Sequence, residues 1–164
     1  MVAHRGGPGI RADVGIEAAQ VDIGGWDTHE KNFVTLKRQL PNFDTGMSAL
    51  VQDLHERGLA DDVTVIAWGE FGRTPRVNST GGRDHYPNVF SAAVAGGGIK
   101  GGFSYGETDD LGFSIAENKV HIHDVQATIM HLLGFNHEKL TFRFQGRDYR
   151  LTDVHGHVVK DILA

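Results

Sequence analysis

The chain has 164 residues, no cysteine and a formal net charge of −5 with neutral histidines. That length is one domain's worth at most, a 40% hydrophobic share allows a core of useful size, and the acidic balance argues against a nucleic-acid surface. Disulfides, thiolate metal sites and cysteine nucleophiles are excluded, and no apolar run approaches the roughly 20 residues of a membrane span.

The 10 histidines and 22 glycines carry more information, because imidazoles bind metals or move protons and glycines allow tight loops. Residues 1–15 are Gly-rich and read as irregular, and Val2 to Ala12 lacks the apolar stretch of a signal peptide. Ile16 to Ile23 alternates loosely, as a strand would, and runs into Gly24-Gly25-Trp26-Asp27-Thr28-His29. The double glycine ends it and lets the backbone swing toward a rim. Phe33, Leu36 and Leu40 predict a helix that stops at Pro41. A second helix, capped by Asp44, carries Met47, Leu50, Val51 and Leu54 as its apolar stripe and stops at Gly58.

Val63 to Trp68 is β-branched and aromatic, the pattern of a buried strand, and Gly69-Glu70-Phe71-Gly72-Arg73-Thr74-Pro75 must turn. A second loop closes with Arg83-Asp84-His85, before a buried strand at Val89 to Ala95 that Gly96-Gly97-Gly98 stops. Charged residues therefore stand just beyond one strand and just before the next, where open α/β sheets place ligands. Phe103 to Ile115 reads as a loop or hairpin. Asp124 is a candidate N-cap for a helix bearing Val125, Ile129, Leu132 and Leu133, closed by Gly134. Strands around Gln145-Gly146 predict a hairpin, and Val154, Val158, Ile162 and Leu163 a last helix. Helix, short loop, strand, active loop, strand is an α/β layer pattern.

Asp27 and His29 are two apart, so in an extended segment both side chains share a side and can grip one ion. A carboxylate with an imidazole suits Zn²⁺, Mn²⁺ or Fe better than Ca²⁺. The plainer alternative is a capping Asp beside a surface His. Glu70 is either a further metal carboxylate or the partner of Arg73 in one turn. Arg73 itself suits an anionic substrate oxygen, since a guanidinium fork matches phosphate or sulfate. Asp84 and His85 are both metal candidates. Neighbours on a strand point oppositely, so His85 is expected to be the direct ligand and Asp84 a carboxylate that orients it. His121 and His123 are weaker candidates. The Gly96–Gly98 run lacks the lysine and helix onset of a phosphate loop.

The blocks Gly24 to His29, Gly69 to Pro75, Gly82 to His85 and Ala95 to Gly102, in that order, resemble the bacterial family called domain of unknown function 1501. That family is similar to the alkaline phosphatase and sulfatase superfamily, and the likeness runs from about Val21 onward. It implies a three-layer α/β/α sandwich with metal ions at the strand ends, of which this chain supplies the C-terminal part as a single unit. It places Asp27, His29 and His85 on one metal, with Zn or Mn expected over Ca or Mg. The turn of a second metal falls on Glu70-Phe71-Gly72, where Phe71 cannot bind one. The superfamily's Ser, Thr or modified Cys nucleophile belongs to an N-terminal half.

The resemblance therefore implies a metal-dependent hydrolase of small phosphate or sulfate esters, completed by that half and exported or periplasmic in its full-length form. The other readings are a non-catalytic, metal-stabilised binding or structural module and a plain protein-interaction fragment.

Overall fold

A computed structural model describes residues 18–164. The expected irregular segment 1–15, and the first residues of the expected strand at 16–23, lie outside them. The described remainder of that strand, 18–23, is exposed irregular backbone, with Val21 85% exposed. Two glycines follow, and among the described residues no strand pairs with it.

The first element is one helix, α1 (Asn32–Glu56), where two were expected. Pro41 lies inside it rather than at its end. Proline deletes one backbone donor, but Phe33, Leu36, Leu40, Phe43, Met47, Leu50 and Leu54 keep an unbroken 3–4 spacing across it, so one apolar seam spans both halves. The Thr45 hydroxyl donates to the Pro41 carbonyl at 2.8 Å. Asp44 is therefore mid-helix and caps nothing. Lys31, in the left-handed region at φ 47°, precedes the first turn without a side-chain cap. The loop 78–82 does that work instead: Lys31 N donates to Thr80 O at 3.2 Å and Asn32 N to Gly81 O at 2.9 Å. Gly58, at φ 69°, ends the helical run as expected.

Strands β1 (Thr64–Ala67), β2 (Gly72–Arg73), β3 (His85–Tyr86), β4 (Ala93–Gly96), β5 (Glu107–Thr108) and β6 (Ile115–Glu117) follow. Helix α2 (Ile122–Leu132) then precedes β7 (Thr141–Phe144), β8 (Arg147–Arg150) and a 3-10 turn at Lys160–Ile162. The strands form four separate antiparallel pairs: β1–β4, β2–β3, β5–β6 and β7–β8. The chain is thus mixed α and β, as expected. A three-layer sandwich needs one broad sheet covered on both faces, and the described residues do not assemble one. Nor are the two central strands fully buried: β1 is half-buried throughout, and Ala93 in β4 is exposed.

His121, not Asp124, is the N-cap of α2. Its ring accepts from the His123 amide, while Asp124 at the third helical position returns a bond to the His121 amide at 2.9 Å, completing a capping box. The β7–β8 hairpin turns at Gln145 (φ 48°) and Gly146 (φ 83°), the two positive φ values that a tight hairpin turn with the native twist requires. The expected last helix is reduced to the 3-10 turn. Asp153 and Gly156 take positive φ, and β-branched Val158 and Val159 follow, so helical backbone cannot propagate from 154.

Buried apolar side chains among the described residues are few: Val63 below β1, and Ala127, Met130 and Leu132 along α2. Compact turns supply much of the remaining order. The clearest is Asp109, whose carboxylate accepts from Leu111 N (3.0 Å), Phe113 N (3.0 Å), Ser114 N (2.7 Å) and the Ser114 hydroxyl (2.5 Å). These bonds, led by that from the Ser114 hydroxyl, hold its pKa at about 2 against an ordinary 3.8. A depressed carboxylate pKa stabilises the fold above the unfolded value and loses that contribution as pH falls through the folded value. The Ser114 amide resonance, followed by NMR, should therefore hold its native position at pH 3 and shift only near pH 2. A midpoint at 3.8 would contradict the turn.

Candidate metal centre

The rim is built by two chain segments that the sequence keeps far apart. The first is 24–32. Gly25 takes φ 89°, and Gln39 on α1 donates to the Gly24 carbonyl at 3.2 Å, so the glycine pair swings the chain over the helix. Thr28 is buried and its hydroxyl donates to the buried side chain of Asn32. With Thr28 turned inward, Asp27 and His29 share the outer side, as their spacing predicts.

The second segment runs from Phe71 to Tyr86. β2 and β3 pair Gly72 with Tyr86 and Arg73 with His85. Residues directly opposite share a face, so Arg73 and His85 present together. The connecting loop is tied by Asn78. Its side-chain oxygen accepts from the Thr80 amide, the Thr80 hydroxyl and the Gly82 amide, and its NH₂ donates to the His29 carbonyl at 2.9 Å and to Asp84 at 3.2 Å. The segments meet where Glu30 bridges Gly81 and Arg83 N donates to Thr28 O at 3.1 Å. Gly82 is there because a Cβ would stand 1.9 Å from the His29 carbonyl oxygen.

Three donor atoms converge at the meeting point. Asp27 Oδ1 lies 2.8 Å from His85 Nε2 and 3.0 Å from His29 Nε2, and the two imidazole nitrogens are 3.1 Å apart. Ligand atoms held 2.0–2.1 Å from a common centre stand roughly 2.8–3.4 Å apart, so these separations are compatible with one ion. His29 Nδ1 faces Asp84 Oδ1 at 2.8 Å. A carboxylate only accepts, so Nδ1 donates to Asp84, and in the neutral ring Nε2 is then the acceptor that faces Asp27 and His85. A carboxylate oxygen and an imidazole lone pair at 3.0 Å repel unless a proton or cation lies between them. A proton or a cation at the meeting point relieves that repulsion.

Electrostatics agree. Hydrogen bonds from His85 and then Arg73 bring the Asp27 carboxyl down to about 2, overcoming the opposing effect of burial. Asp84 is lowered too, chiefly by its bond to His29, with help from Asn78.

Each expected site residue has a definite place. Asp27, His29 and His85 come together. Asp84 stands outside them and orients His29, not the adjacent His85 that the sequence suggested. Glu70 is exposed and is not part of the three-residue cluster. Nor does it pair with Arg73, whose Nη2 bonds Asp27 Oδ1 at 2.8 Å and the Trp26 carbonyl at 3.0 Å, while Nη1 bonds the Arg83 carbonyl at 3.1 Å. Arg73 is thus turned inward to the Asp27 carboxylate. His121 and His123 stack on each other at the start of α2, with their Nδ1 atoms 3.0 Å apart, and serve its cap.

Two residues of the rim escaped sequence reasoning. Phe71 packs on His85, ring centres 4.2 Å apart, and so fixes the imidazole that it cannot replace as a ligand. No spacing announces that role. Asn78 does have a signal: an Asn a few residues before a Gly-Gly pair forms side-chain turns of this kind.

The sequence profile of one family, described as "Protein of unknown function (DUF1501)", matches residues 10–163. No curated protein and no solved structure gives a significant match.

Proposed function

We propose, for a chain that belongs to the DUF1501 family, that Asp27, His29 and His85 hold one divalent cation of a hydrolase for phosphate or sulfate esters. The observation that carries the reading is the Asp84–His29 pair, at 2.8 Å. A carboxylate behind an imidazole fixes the tautomer whose other nitrogen binds metal, and raises that nitrogen's basicity. Two imidazoles and one carboxylate favour Zn²⁺ or Mn²⁺ over Ca²⁺ or Mg²⁺. Such a cation, when bound, would polarise a phosphoryl or sulfuryl oxygen and offset its developing charge. Around it Phe71 excludes water from one side of His85, and Arg73 holds Asp27 and balances its charge. With a cation bound at Asp27 Oδ1, the Arg73 Nη2 that bonds that oxygen here would be available to an anionic substrate oxygen.

The nucleophile, in this proposal, comes from a further segment that completes an alkaline phosphatase-like sandwich. Support comes from the uncovered seam of α1, where Leu40 and Leu50 are each 46% exposed, and from the single-partner strands β1 and β4. The purified 164-residue protein should therefore turn over an aryl phosphate or aryl sulfate far below the ordinary enzyme median of about 10 s⁻¹. Turnover at that ordinary rate, lost in His85→Ala, would contradict it.

A second reading, a non-catalytic metal-stabilised module, is favoured by Phe71 in the turn of a second metal and by Glu70 standing apart. Co-expression with the preceding reading frame separates the two: ester hydrolysis appears in the first case and not in the second.

A further inference from the structure

β2 and β3 form only two residue pairs, Gly72–Tyr86 and Arg73–His85, with Thr74 N donating to Asp84 O at 2.9 Å just beyond them on the loop side. So short a pairing has little register of its own. A slip by one residue would exchange the faces of His85 and Tyr86 and take His85 out of the cluster. The Thr74–Asp84 bond and the Asn78 loop hold its loop end, and the end at Tyr86 needs a hold of its own.

The back face offers that hold. Tyr86 points opposite to His85, and its hydroxyl donates to the Phe113 carbonyl at 2.7 Å. Its ring meets the Phe113 ring edge-on, centroids 6.1 Å apart at 84°. Phe113 in turn sits in the turn organised by Asp109, whose carboxylate accepts the Phe113 amide and both Ser114 donors. The same turn meets the loop after β2: at Gly112 a Cβ would lie 3.6 Å from Pro75 Cγ. The turn thus touches β3 and the exit of β2 from behind and leaves the ligand face open.

We propose that the Asp109–Ser114 turn is a buttress for the cation cluster, and that Tyr86 is the positioning residue through which it fixes His85. The proposal rests on the metal reading above and adds a third segment to the site, one with no ligand of its own.

The test is cobalt binding by the full chain, with affinity from chelator competition and the visible absorption spectrum of the Co²⁺ form. Tyr86→Phe keeps the ring and removes the hydroxyl. It should weaken Co²⁺ binding about 10-fold, at the low end for partners outside the ligand shell, and alter the spectrum. The thermal midpoint of the metal-free protein should move by less than about 2 °C, because the hydroxyl's bond is near the surface. Asp109→Asn acts on the same path and should give a similar loss, with the double variant little worse than either single one. Affinity within twofold of the parent in both variants, or a loss matched by a collapse of the metal-free midpoint, overturns the buttress alone. Failure of the parent to bind Co²⁺ through His85 overturns the metal reading and the buttress with it.

Discussion

His85→Ala should lower zinc affinity by more than about 100-fold, beyond the 10–100-fold that loss of a partner outside the ligand shell costs, while the metal-free protein keeps its fold. His85 contributes one of three donor atoms, and the pair left, Asp27 Oδ1 and His29 Nε2 at 3.0 Å, grips an ion from one segment only. The imidazole lies at an open rim with 45% of its side chain exposed, so its removal costs ring contacts with Phe71 and His29 but no core packing. Glu70→Ala is the internal contrast. Glu70 is outside the cluster, so its removal should leave the affinity within twofold. Chelator competition on the two variants checks both statements. Equal losses would return Glu70 to the ligand set, and no loss in either would place the ion elsewhere.

Gly82→Ala should be the most destabilising single methyl in the rim, about 3 kcal/mol in urea denaturation. The added Cβ would stand 1.9 Å from His29 O, 2.0 Å from His29 C and 2.5 Å from Glu30 N. All three are backbone atoms, so no side chain can rotate out of the way. The two segments must part, which breaks the Glu30–Gly81 bridge and pulls Thr80 and Gly81 from the first amides of α1. Its neighbour provides the scale. Gly81 has open space around it but φ 73°, so Gly81→Ala should cost only the about 1–2 kcal/mol of a left-handed residue. If Gly82→Ala proves the milder of the two, the close approach of the segments is not what holds the rim.

The Asp27–His29–His85 cluster was legible because alternation is a local rule. Asp27 and His29 must share a side of an extended segment, and His85 follows a glycine-rich loop into a strand. Asp84 was legible as a carboxylate that orients an imidazole but not as the partner of His29. That pairing depends on how two segments 55 residues apart are registered, and no spacing within either one encodes it. Arg73 was legible as a cation in the right turn. Its partner was not, because Glu70, three residues away, is closer in sequence while Asp27 is closer in space. Pro41 misled for a different reason. A proline removes one helical bond, yet the seam from Phe33 to Leu54 continues through it, and the longer-range apolar pattern prevailed over the local breaker. In the C-terminal stretch the reverse held: apolar residues at helical spacing were overruled by the positive φ at Asp153 and Gly156. The β7–β8 hairpin was legible from its two-residue turn, whereas the β1–β4 ladder was beyond reach, since its two strands lie on segments far apart in the chain.

X-ray absorption at the zinc edge of the purified, zinc-loaded protein puts the convergence itself to the question. Two imidazole nitrogens at about 2.0–2.1 Å with oxygen donors completing the shell, and loss of the imidazole signal in the His29→Ala, His85→Ala double variant, is the expected result. An all-oxygen shell, or an imidazole signal that survives the double variant, would mean that Asp27, His29 and His85 meet in this fold for some purpose other than holding a cation.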